Sequence, residues 1–459
     1  MHMQRAGEQI SGTGAASRYS EAVPRYTSYP TAPHFHAGVT GATFRHWLRQ
    51  TGTDDDLSLY VHIPFCDRLC WFCACHTKMT QRYEPVAAFL DALLCEIRRV
   101  GAVLGGNGRV RALHFGGGSP TILRPDDVMR LGDALRAAFR FARDTEISVE
   151  LDPNDMDEAR FDAFTAIGMT RASLGVQDFD PRVQKAINRE QTFAQTKAVV
   201  DGVRSRGVQS VNLDLLYGLP HQTLESVAAT IHQALTLSPD RIALFGYAHV
   251  PWFKKHQTMI ADDWLPGPEE RYAQQQETAR IIRAAGYEPI GLDHFARPGD
   301  PLAAAAREGR LFRNFQGYTE DACRTLIGLG PSSVSRLPQG YAQNTPATAG
   351  YERIVRDGGL ATARGIALTD EDRARAWVIE RLMCDFAFSG QEAIRLFGED
   401  GARIVAEARA AGCGAGEQML VERDGAFVVP EASRALVRTA AARFDQYLAQ
   451  GGARHSMAV

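Results

Sequence analysis

Hydrophobic and polar positions follow a repeating two-part pattern along residues 55–295. Short apolar runs rich in β-branched and aromatic residues are each followed by a stretch with the 3.6-residue period of an amphipathic helix. The strand-like runs are 57–63, 110–115, 146–151, 171–176, 211–216 and 241–247, and the helical stretches include 85–105 and 193–207. Six strand-then-helix units predict an α/β fold whose parallel sheet curves into a partial TIM-like (β/α)6 barrel.

The pattern changes after the last of these units. Residues 296–350 are rich in Gly, Pro and aromatic side chains and predict irregular structure. Helical periodicity returns after about residue 360, where Thr369 is the expected N-cap and Asp372 stands in place of the Glu or Gln of a full capping box. Residues 419–429 predict a hairpin that turns at Asp424 and Gly425. We therefore expect three parts: an N-terminal segment covering the cleft (1–40), the barrel with its extension (41–360) and a mostly helical C-terminal domain (361–459).

Composition and charge exclude several classes of protein. The 459 residues are 45% hydrophobic and 23% charged, as in soluble globular proteins. A formal net charge of −3 gives no general basic field for nucleic acid or an anionic membrane. No run approaches 18 consecutive apolar residues, so we expect no membrane span. We expect a cytoplasmic monomer.

Half of the eight cysteines lie in one short segment, "CDRLCWFCACH", at Cys66, Cys70, Cys73 and Cys75. Such clustering indicates a metal site or catalysis in a reducing compartment, not a disulfide framework. The C-x3-C-x2-C spacing suits a [4Fe–4S] cluster held through three of its irons, with the fourth iron open. A zinc site of four cysteines, or of three plus His76, is the alternative. Structural zinc sites usually pair two distant C-x2-C knuckles, and the sequence contains no second knuckle.

Polar or glycine-rich segments follow all six predicted strands. In a parallel barrel these strand ends meet at one face, where functional groups collect. The segment "GGGSP" (116–120) exposes backbone to a close ligand or forms a tight turn, and it matches neither nucleotide phosphate-loop motif. Glu150 is a candidate for binding ribose hydroxyls or an ammonium group, with a barrel-mouth salt bridge as the alternative.

These features resemble the radical S-adenosylmethionine (SAM) enzymes, and within them the oxygen-independent coproporphyrinogen III oxidases, also called coproporphyrinogen dehydrogenases. Eleven sequence blocks in the same order support this resemblance from about residue 24 onward. They are "PRYTSYPTA", "LYVHIPFC" with its following cysteines, "GGGSPT", "VELDP", "GVQDF", "NREQ", "DLLYGLP", "YAHVP", "DHFARP", "RNFQGYT" and "YAQN".

The resemblance implies a role for each matching residue. Cys66, Cys70 and Cys73 would ligate the cluster and leave one iron open for SAM. Contacts to this first SAM would come from Tyr60, Phe72, Gly117, Glu150 and Val334. A second SAM would be held by Gly118, Ser119, Gln177, Arg189, Asp214 and Ala248. Two positions depart from the family pattern, because Ser119 stands where Thr is common and Trp71 where Tyr is common.

The resemblance also implies the reaction. One electron from the reduced cluster cleaves SAM into methionine and a 5′-deoxyadenosyl radical, which removes hydrogen from a propionate β-carbon. Loss of carbon dioxide and one electron then leaves a vinyl group. Two propionates of coproporphyrinogen III are converted in this way to give protoporphyrinogen IX, with two SAM consumed. A one-electron reductant such as flavodoxin or ferredoxin would supply the cluster.

Substrate contacts and the role of the fourth cysteine stay open at this stage. Candidates for binding the anionic substrate are Arg25, Tyr26, Tyr29, Arg297 and Arg313. Cys75 is a hydrogen or proton donor near the substrate, or a small side chain packed beside the second SAM. The alternative function is a haem chaperone of the same family, a branch that lacks a cysteine at this position and the "PRYTSYPTA" and "NFQGYT" blocks.

Overall fold

The computed structural model describes residues 23–412 and 419–448. Its strands are β1 (Asp56–Ile63), β2 (Phe65–Cys66), β3 (Lys78–Met79), β4 (Arg109–Gly117), β5 (Phe141–Leu151), β6 (Arg171–Gln177), β7 (Ser210–Tyr217), β8 (Arg241–Gly246), β9 (Glu288–Ile290), β10 (His294–Ala296), β11 (Phe312–Asn314), β12 (Gly317–Thr319), β13 (Thr325–Leu329), β14 (Val334–Leu337), β15 (Gly340–Asn344), β16 (Thr362–Ala367), β17 (Ala387–Ser389), β18 (Val421–Arg423) and β19 (Ala426–Val428).

The α-helices of the described residues are α1 (Gly41–Leu48), α2 (Glu84–Leu104), α3 (Pro125–Ala138), α4 (Glu158–Ala166), α5 (Pro181–Ala186), α6 (Phe193–Ser205), α7 (Leu224–Thr236), α8 (Pro268–Ala284), α9 (Pro301–Arg307), α10 (Thr348–Arg356), α11 (Asp370–Asp385), α12 (Gly390–Gly412) and α13 (Val437–Ala442). None of them is both long and apolar enough to cross a lipid bilayer.

One curved sheet organises the barrel. Its strand order is β16-β15-β14-β13-β1-β4-β5-β6-β7-β8-β10-β9. The six predicted strands, β1 and β4 to β8, pair in parallel with their neighbours, and helices α2 to α7 connect them. The predicted partial α/β barrel is confirmed.

The prediction that residues 296–350 are irregular is wrong. Strand β13 is a seventh parallel strand on the free side of β1, and β14 and β15 extend the sheet in antiparallel fashion. These strands have only four or five residues, and two contain glycines that pack against neighbouring backbone. Short glycine-bearing strands carry too little periodicity to separate them from loop sequence.

The two faces of the barrel strands differ in polarity. In β6, Ala172, Leu174 and Val176 are buried in the main hydrophobic core together with residues of the surrounding helices. The alternate residues of the same strand, among them Arg171 and Ser173, face the cavity inside the barrel. Burial of each large apolar side chain contributes about 1.5–3 kcal/mol, which favours packing of the helices on the outer face of the sheet. The inner face remains polar.

The C-terminal region has a core of its own. Helices α11 and α12, the hairpin of β18 and β19 and helix α13 enclose it, and Tyr26 and Tyr29 from the N-terminal segment pack into it. Asp372 completes the capping box with Thr369, because each side chain bonds the other residue's backbone N–H. Asp424 and Gly425 both have positive φ at the hairpin turn, as that turn type requires.

The three-part division of the chain stays a prediction. Strand β16, which begins just after the expected boundary at 360, pairs with β15 in the large sheet. Residues 1–22 of the expected N-terminal segment lie outside the described residues.

A buried carboxylate joins the sheet extension to the barrel. Glu96 on α2 accepts hydrogen bonds from the Tyr351 hydroxyl at 2.6 Å, the Asn344 amide at 2.7 Å and the Gly330 N–H at 2.7 Å. Burial raises the pKa of Glu96, and these donors oppose that shift. The junction fixes the segment that follows β13, whose Ser332, Ser333 and Val334 line the barrel cavity.

We expect Tyr351→Phe to lower the free energy of unfolding by about 2 kcal/mol, because it leaves a buried carboxylate oxygen without one of its donors. Tyr287→Phe is the control, since the buried Tyr287 hydroxyl donates to the carbonyl of Pro239 and also bonds the Arg297 side chain, but contacts no buried carboxylate. It should cost about 1 kcal/mol. Chemical denaturation measures both values, and equal losses would contradict the role assigned to Glu96.

Candidate functional site

Many polar side chains face a cavity of about 800 Å³ inside the barrel, here called the thiol cavity. It is lined by side chains along the length of the parallel strands, from Arg171 and Arg241 at the start of β6 and β8 to the loops that follow the strands. Cys66, Cys70, Cys73 and Cys75 all line it. A different cavity of about 650 Å³ lies at the opposite strand ends and contains none of the four thiols.

The cysteine loop, residues 66–79, is closed at its base by the pairing of β2 with β3. Three hydrogen bonds from later parts of the chain hold its backbone. His256 bonds the Cys73 carbonyl at 2.7 Å, Gln257 donates to the Phe72 carbonyl at 2.9 Å, and Asn188 donates to the Leu69 carbonyl at 2.9 Å. These hydrogen bonds hold the loop backbone without any contribution from a metal.

The three predicted ligand sulfurs fit a cluster better than a single zinc ion. Tetrahedral zinc with Zn–S bonds of about 2.3 Å places its sulfurs about 3.8 Å apart. The Sγ atoms of Cys66, Cys70 and Cys73 do not all lie within 4.8 Å of one another, and the only described residues that form such a set are Asp67, Asp152 and Asp155. A wider arrangement of three thiols around one cavity suits a polynuclear cluster.

Cys75 is oriented toward a neighbouring thiol. Its backbone N–H donates to the Cys73 sulfur at 3.4 Å. Interaction with the Cys75 thiol lowers the pKa of Cys73, and the same interaction raises the pKa of Cys75. By contrast, burial raises the pKa of Cys66 to about 12. Cys75 therefore serves the Cys73 sulfur as a hydrogen-bond donor.

The glycine run packs closely between the first and third barrel strands. A Cβ on Gly116 would lie 2.5 Å from a Glu150 carboxylate oxygen, and a Cβ on Gly118 would lie 2.5 Å from the Phe65 carbonyl oxygen. Gly117 has a φ of +114°, which disfavours any other residue. The N–H groups of Gly118 and Ser119 donate to the carbonyls of Ile63 and Phe65 at 2.7 and 2.8 Å, so the run is fastened to the start of the cysteine loop.

Glu150 is held at the centre of the thiol cavity. One carboxylate oxygen is 3.0 Å from His114 Nε2, and the other accepts from the Gly117 N–H at 3.1 Å. Burial alone would raise the pKa of Glu150, but these hydrogen bonds and the nearby imidazole lower it. The side chain is therefore a fixed anion with room for a cationic or hydroxyl-bearing ligand.

Arg189 connects the cysteine loop to β6, the fourth barrel strand. It is buried, donates to the Asp152 carboxylate at 3.1 Å and to the Gly175 carbonyl at 2.7 Å, and lies 3.6 Å from the Cys70 sulfur. Burial opposes its charge, but Asp152 and Cys70 raise its pKa. Its Nε, although buried, has no partner within the described structure and remains available to a ligand.

The remaining predicted SAM contacts fall into two groups. Tyr60, Phe72, Ser119, Gln177, Asp214 and Val334 all line the thiol cavity. Gln177 has a positive φ of 66° at an irregularity in the β6–β7 pairing, a strained backbone of the kind found at ligand sites. Ala248 lies outside this cavity and lines a smaller one beside it.

The structure separates the substrate candidates. Arg25 opens onto the thiol cavity and onto the smaller cavity, and Arg313 lines the smaller cavity. Tyr26 and Tyr29 are buried in the C-terminal core instead, where Tyr26 donates to Asp445 at 3.1 Å. Arg297 lies at the opposite end of the barrel, where its guanidinium donates to the Ser238 and Pro239 carbonyls.

Several polar residues of the cavity wall were not predicted from the sequence. His62 lies two positions after Tyr60 on β1, and His114 lies opposite Tyr60 on β4. The His62 ring is 3.0 Å from the Tyr60 hydroxyl and 2.8 Å from the His76 carbonyl. Burial lowers the pKa of His62 to about 4, so its ring is neutral at pH 7. Ser173 and Asn212 were also missed. A period-two run of polar residues inside an otherwise apolar strand is the signal that identifies such positions.

Asp214 provides a pH-dependent prediction. Burial and the neighbouring Glu150 charge raise its pKa to about 6. Because the folded pKa exceeds the unfolded value of about 3.9, the stabilisation it provides is complete at low pH and is lost as pH rises through about 6. We expect the melting temperature of the wild type, relative to Asp214→Asn, to fall between pH 4 and pH 7. A difference that stays constant over this range would contradict the shift.

Known proteins similar to this chain include radical SAM proteins. A family profile described as Radical SAM superfamily matches residues 60–234. Oxygen-independent coproporphyrinogen III oxidase from Paracoccus denitrificans is 48% identical over 454 residues, covering 98% of this chain and 100% of that protein. The protein of the same name from Bradyrhizobium diazoefficiens is 45% identical over 452 residues, covering 97% and 99%.

One solved structure agrees over nearly the whole chain. Coproporphyrinogen III oxidase from Escherichia coli, a radical SAM enzyme, matches with a TM-score of 0.88 at 38% identity, covering 93% of this chain and 100% of that chain. The likeness therefore includes the sheet extension and the C-terminal region as well as the barrel.

Proposed function

The chain belongs to the family of oxygen-independent coproporphyrinogen III oxidases within the radical SAM superfamily, and from this premise we propose how its residues perform the reaction. The protein converts two propionate side chains of coproporphyrinogen III to vinyl groups, giving protoporphyrinogen IX in porphyrin biosynthesis. Its cofactors are a [4Fe–4S] cluster and two molecules of SAM. The observation that carries the residue assignments is one cavity lined by three separated thiols, a glycine run and a fixed carboxylate.

Cys66, Cys70 and Cys73 are proposed to hold the cluster. Their sulfurs are too widely spread for one metal ion, and the Cys75 N–H and the Thr77 hydroxyl, 3.1 Å from the Cys66 sulfur, supply hydrogen bonds around them. Such bonds stabilise the sulfur charge and influence the reduction potential of a bound cluster. Three protein ligands leave one iron for SAM, so Cys75 is proposed to be a donor to a ligand sulfur and not a ligand.

The first SAM is proposed to bind against Tyr60, Phe72, Gly117, Glu150 and Val334. Glu150 offers its anionic oxygens to hydroxyl or ammonium groups, and the glycines permit the ligand to approach the backbone. The second SAM is proposed to contact Gly118, Ser119, Gln177, Arg189 and Asp214, with Ala248 at the edge of the adjoining cavity. Arg189 would present its unpaired Nε there.

Bound together, the cluster and SAM supply one-electron cleavage of the SAM sulfonium and a carbon radical able to remove hydrogen from a propionate. The chain's own residues bind and orient the substrate and keep water away. No strong acid or base is required of them, because the carboxylate leaves as carbon dioxide. The neutral His62 and the Tyr60 hydroxyl bonded to it are proposed to fix the cavity wall and to transfer no proton.

We further propose a cytoplasmic monomer that receives electrons from a small one-electron carrier such as flavodoxin or ferredoxin. The unpaired thiols of the described residues suit a reducing compartment. The haem-chaperone alternative is not favoured, since the relatives that match nearly full length are named as oxidases and Cys75 is present.

A coupled assay tests the assignment. The reduced, cluster-containing protein is incubated without oxygen with SAM and coproporphyrinogen III, and methionine, 5′-deoxyadenosine and porphyrin products are measured together. We expect two SAM to be cleaved for each protoporphyrinogen IX formed. Haem binding without any decarboxylation would contradict the proposal and favour the chaperone.

A further inference from the structure

A second cavity of about 460 Å³ adjoins the thiol cavity, and Arg25 and Phe245 line both of them. Four arginines line this smaller cavity, here called the arginine pocket: Arg25, Arg271, Arg313 and Arg438. They come from the N-terminal segment, α8, β11 and α13, which are distant in sequence. The fold has therefore assembled one cationic site from four separate parts of the chain.

Among the described residues, two acidic side chains line the arginine pocket. Asp293 lies 3.7 Å from Arg313 Nη1 and 2.7 Å from His294 Nδ1, and Arg313 and His294 help to lower its pKa. Asp262 stands at the rim with its side chain 91% exposed, and it pairs with His249. Among the described residues that line the pocket, Asp293 is thus the one mostly buried carboxylate beside Arg25, Arg271 and Arg313. Burial and the charges of Arg25 and Arg313 lower the pKa of Arg438 to about 9.

Backbone carbonyls hold Arg25 and Arg271 in place without neutralising them. Arg25 donates to the Gly246 carbonyl at 3.1 Å, and Arg271 to the Tyr247 carbonyl at 2.8 Å. Arg438 donates to the carbonyls of Val23 and Pro24. The side chain of Arg313 is only 5% exposed, yet its Nε and Nη1 have no hydrogen-bond partner in the described structure.

Arg271 and Arg313 are buried cations with N–H groups that have no hydrogen-bond partner within the described residues, and such groups favour an anionic ligand. We propose that the arginine pocket binds carboxylates of coproporphyrinogen III that are not undergoing reaction. Guanidinium groups pair with carboxylates in a two-pronged geometry, which suits the substrate's propionates. This inference rests on the proposed function, since that function supplies a ligand with four carboxylates, two of which survive in the product.

The position of the arginine pocket explains how one substrate can occupy both cavities. Because Arg25 and Phe245 separate them, a macrocycle anchored by two propionates in the pocket can extend another propionate toward the thiols. Arg25 stands at this junction and contacts either compartment. The arginines would therefore determine which propionates reach the reacting centre.

Binding measurements test this proposal without requiring turnover. The probes are coproporphyrin III, the stable oxidised form with the same four carboxylates, and its tetramethyl ester in the same detergent, each titrated into the cluster-containing protein with SAM. We expect Arg25→Gln and Arg313→Gln each to weaken coproporphyrin III binding at least tenfold and to leave binding of the ester unchanged. Arg25 is the safer variant for folding, because it is not buried and donates one backbone hydrogen bond.

Arg280→Gln is the matched control. Arg280 lies on α8, the helix that carries Arg271, but it is exposed and paired with Glu277. The Arg280→Gln variant should bind both probes like the wild type. Unchanged affinity of both pocket variants for coproporphyrin III, or equal weakening for the ester, would overturn the proposal. A wild type that decarboxylates coproporphyrinogen III would then leave the proposed function standing, whereas an inactive wild type would refute that function separately.

Discussion

Replacing Cys66, Cys70 or Cys73 by serine should each remove the cluster and abolish SAM cleavage. Serine oxygen is a poor substitute for a thiolate on iron, and the Cys75 thiol, the other thiol of the loop, interacts with the Cys73 thiol. Iron and sulfide content, the broad visible absorption of the protein as purified without oxygen, and methionine release measure the loss. Full iron content in any one of these variants would mean that the ligand set is wrong.

Cys75→Ser is the matched control within the same loop. It keeps the backbone N–H that bonds the Cys73 sulfur and replaces only the thiol. We expect normal iron content with a changed cluster reduction potential and slower turnover, since a hydrogen bond to a ligand sulfur is altered. Loss of the cluster would instead make Cys75 a ligand.

Glu150→Gln should weaken binding of the first SAM by about 10- to 100-fold, because charge-assisted hydrogen bonds contribute about 1.5–3 kcal/mol. The change keeps the size of the side chain but removes the charge that interacts with His114 and the Gly117 N–H. The KM for SAM should rise, while cluster content stays the same.

Glu146→Gln provides a control on the same strand. Glu146 lies four residues earlier on β5 and lines the opposite end of the same cavity, where it pairs with Arg171. It should leave the KM for SAM near the wild-type value. A similar rise in both variants would indicate a general effect of charge in the barrel and not a SAM contact at Glu150.

Sequence patterns predicted the barrel well because its strands have a strongly apolar outer face. Leu57, Leu59 and Val61 in β1, for example, are fully buried in the main core. The same argument failed for β13 to β15, which are short and lie in a glycine-rich stretch. The inner-face residue Asn212 was not predicted, because it lies within β7 and not in the segment that follows the strand.

The position of Arg297 shows that a sequence motif does not reveal which end of the barrel a residue occupies. Arg297 follows β10, which pairs with β8 in antiparallel fashion. The end of β10 therefore lies where the parallel strands begin, and Arg297 is placed at the opposite face from the thiols. Only the strand orientation, which depends on long-range pairing, reveals this.

The arginine pocket could not be predicted for a related reason. Arg271 and Arg438 lie on helices of ordinary appearance, and nothing in their local sequence distinguishes them from surface arginines. Their common location depends on packing of the C-terminal core, which also takes in Tyr26 and Tyr29, against the barrel. Such a site becomes visible only when distant segments are brought together.

Product analysis is the most direct test of the central claim, that the three-thiol cavity supports decarboxylation of coproporphyrinogen III. The reduced protein is incubated without oxygen with SAM and this substrate, the products are oxidised to porphyrins, and these are separated and identified by mass. We expect protoporphyrin from the wild type and none from the Cys70→Ser variant. Recovery of unchanged coproporphyrin, while the wild type cleaves SAM, would contradict it.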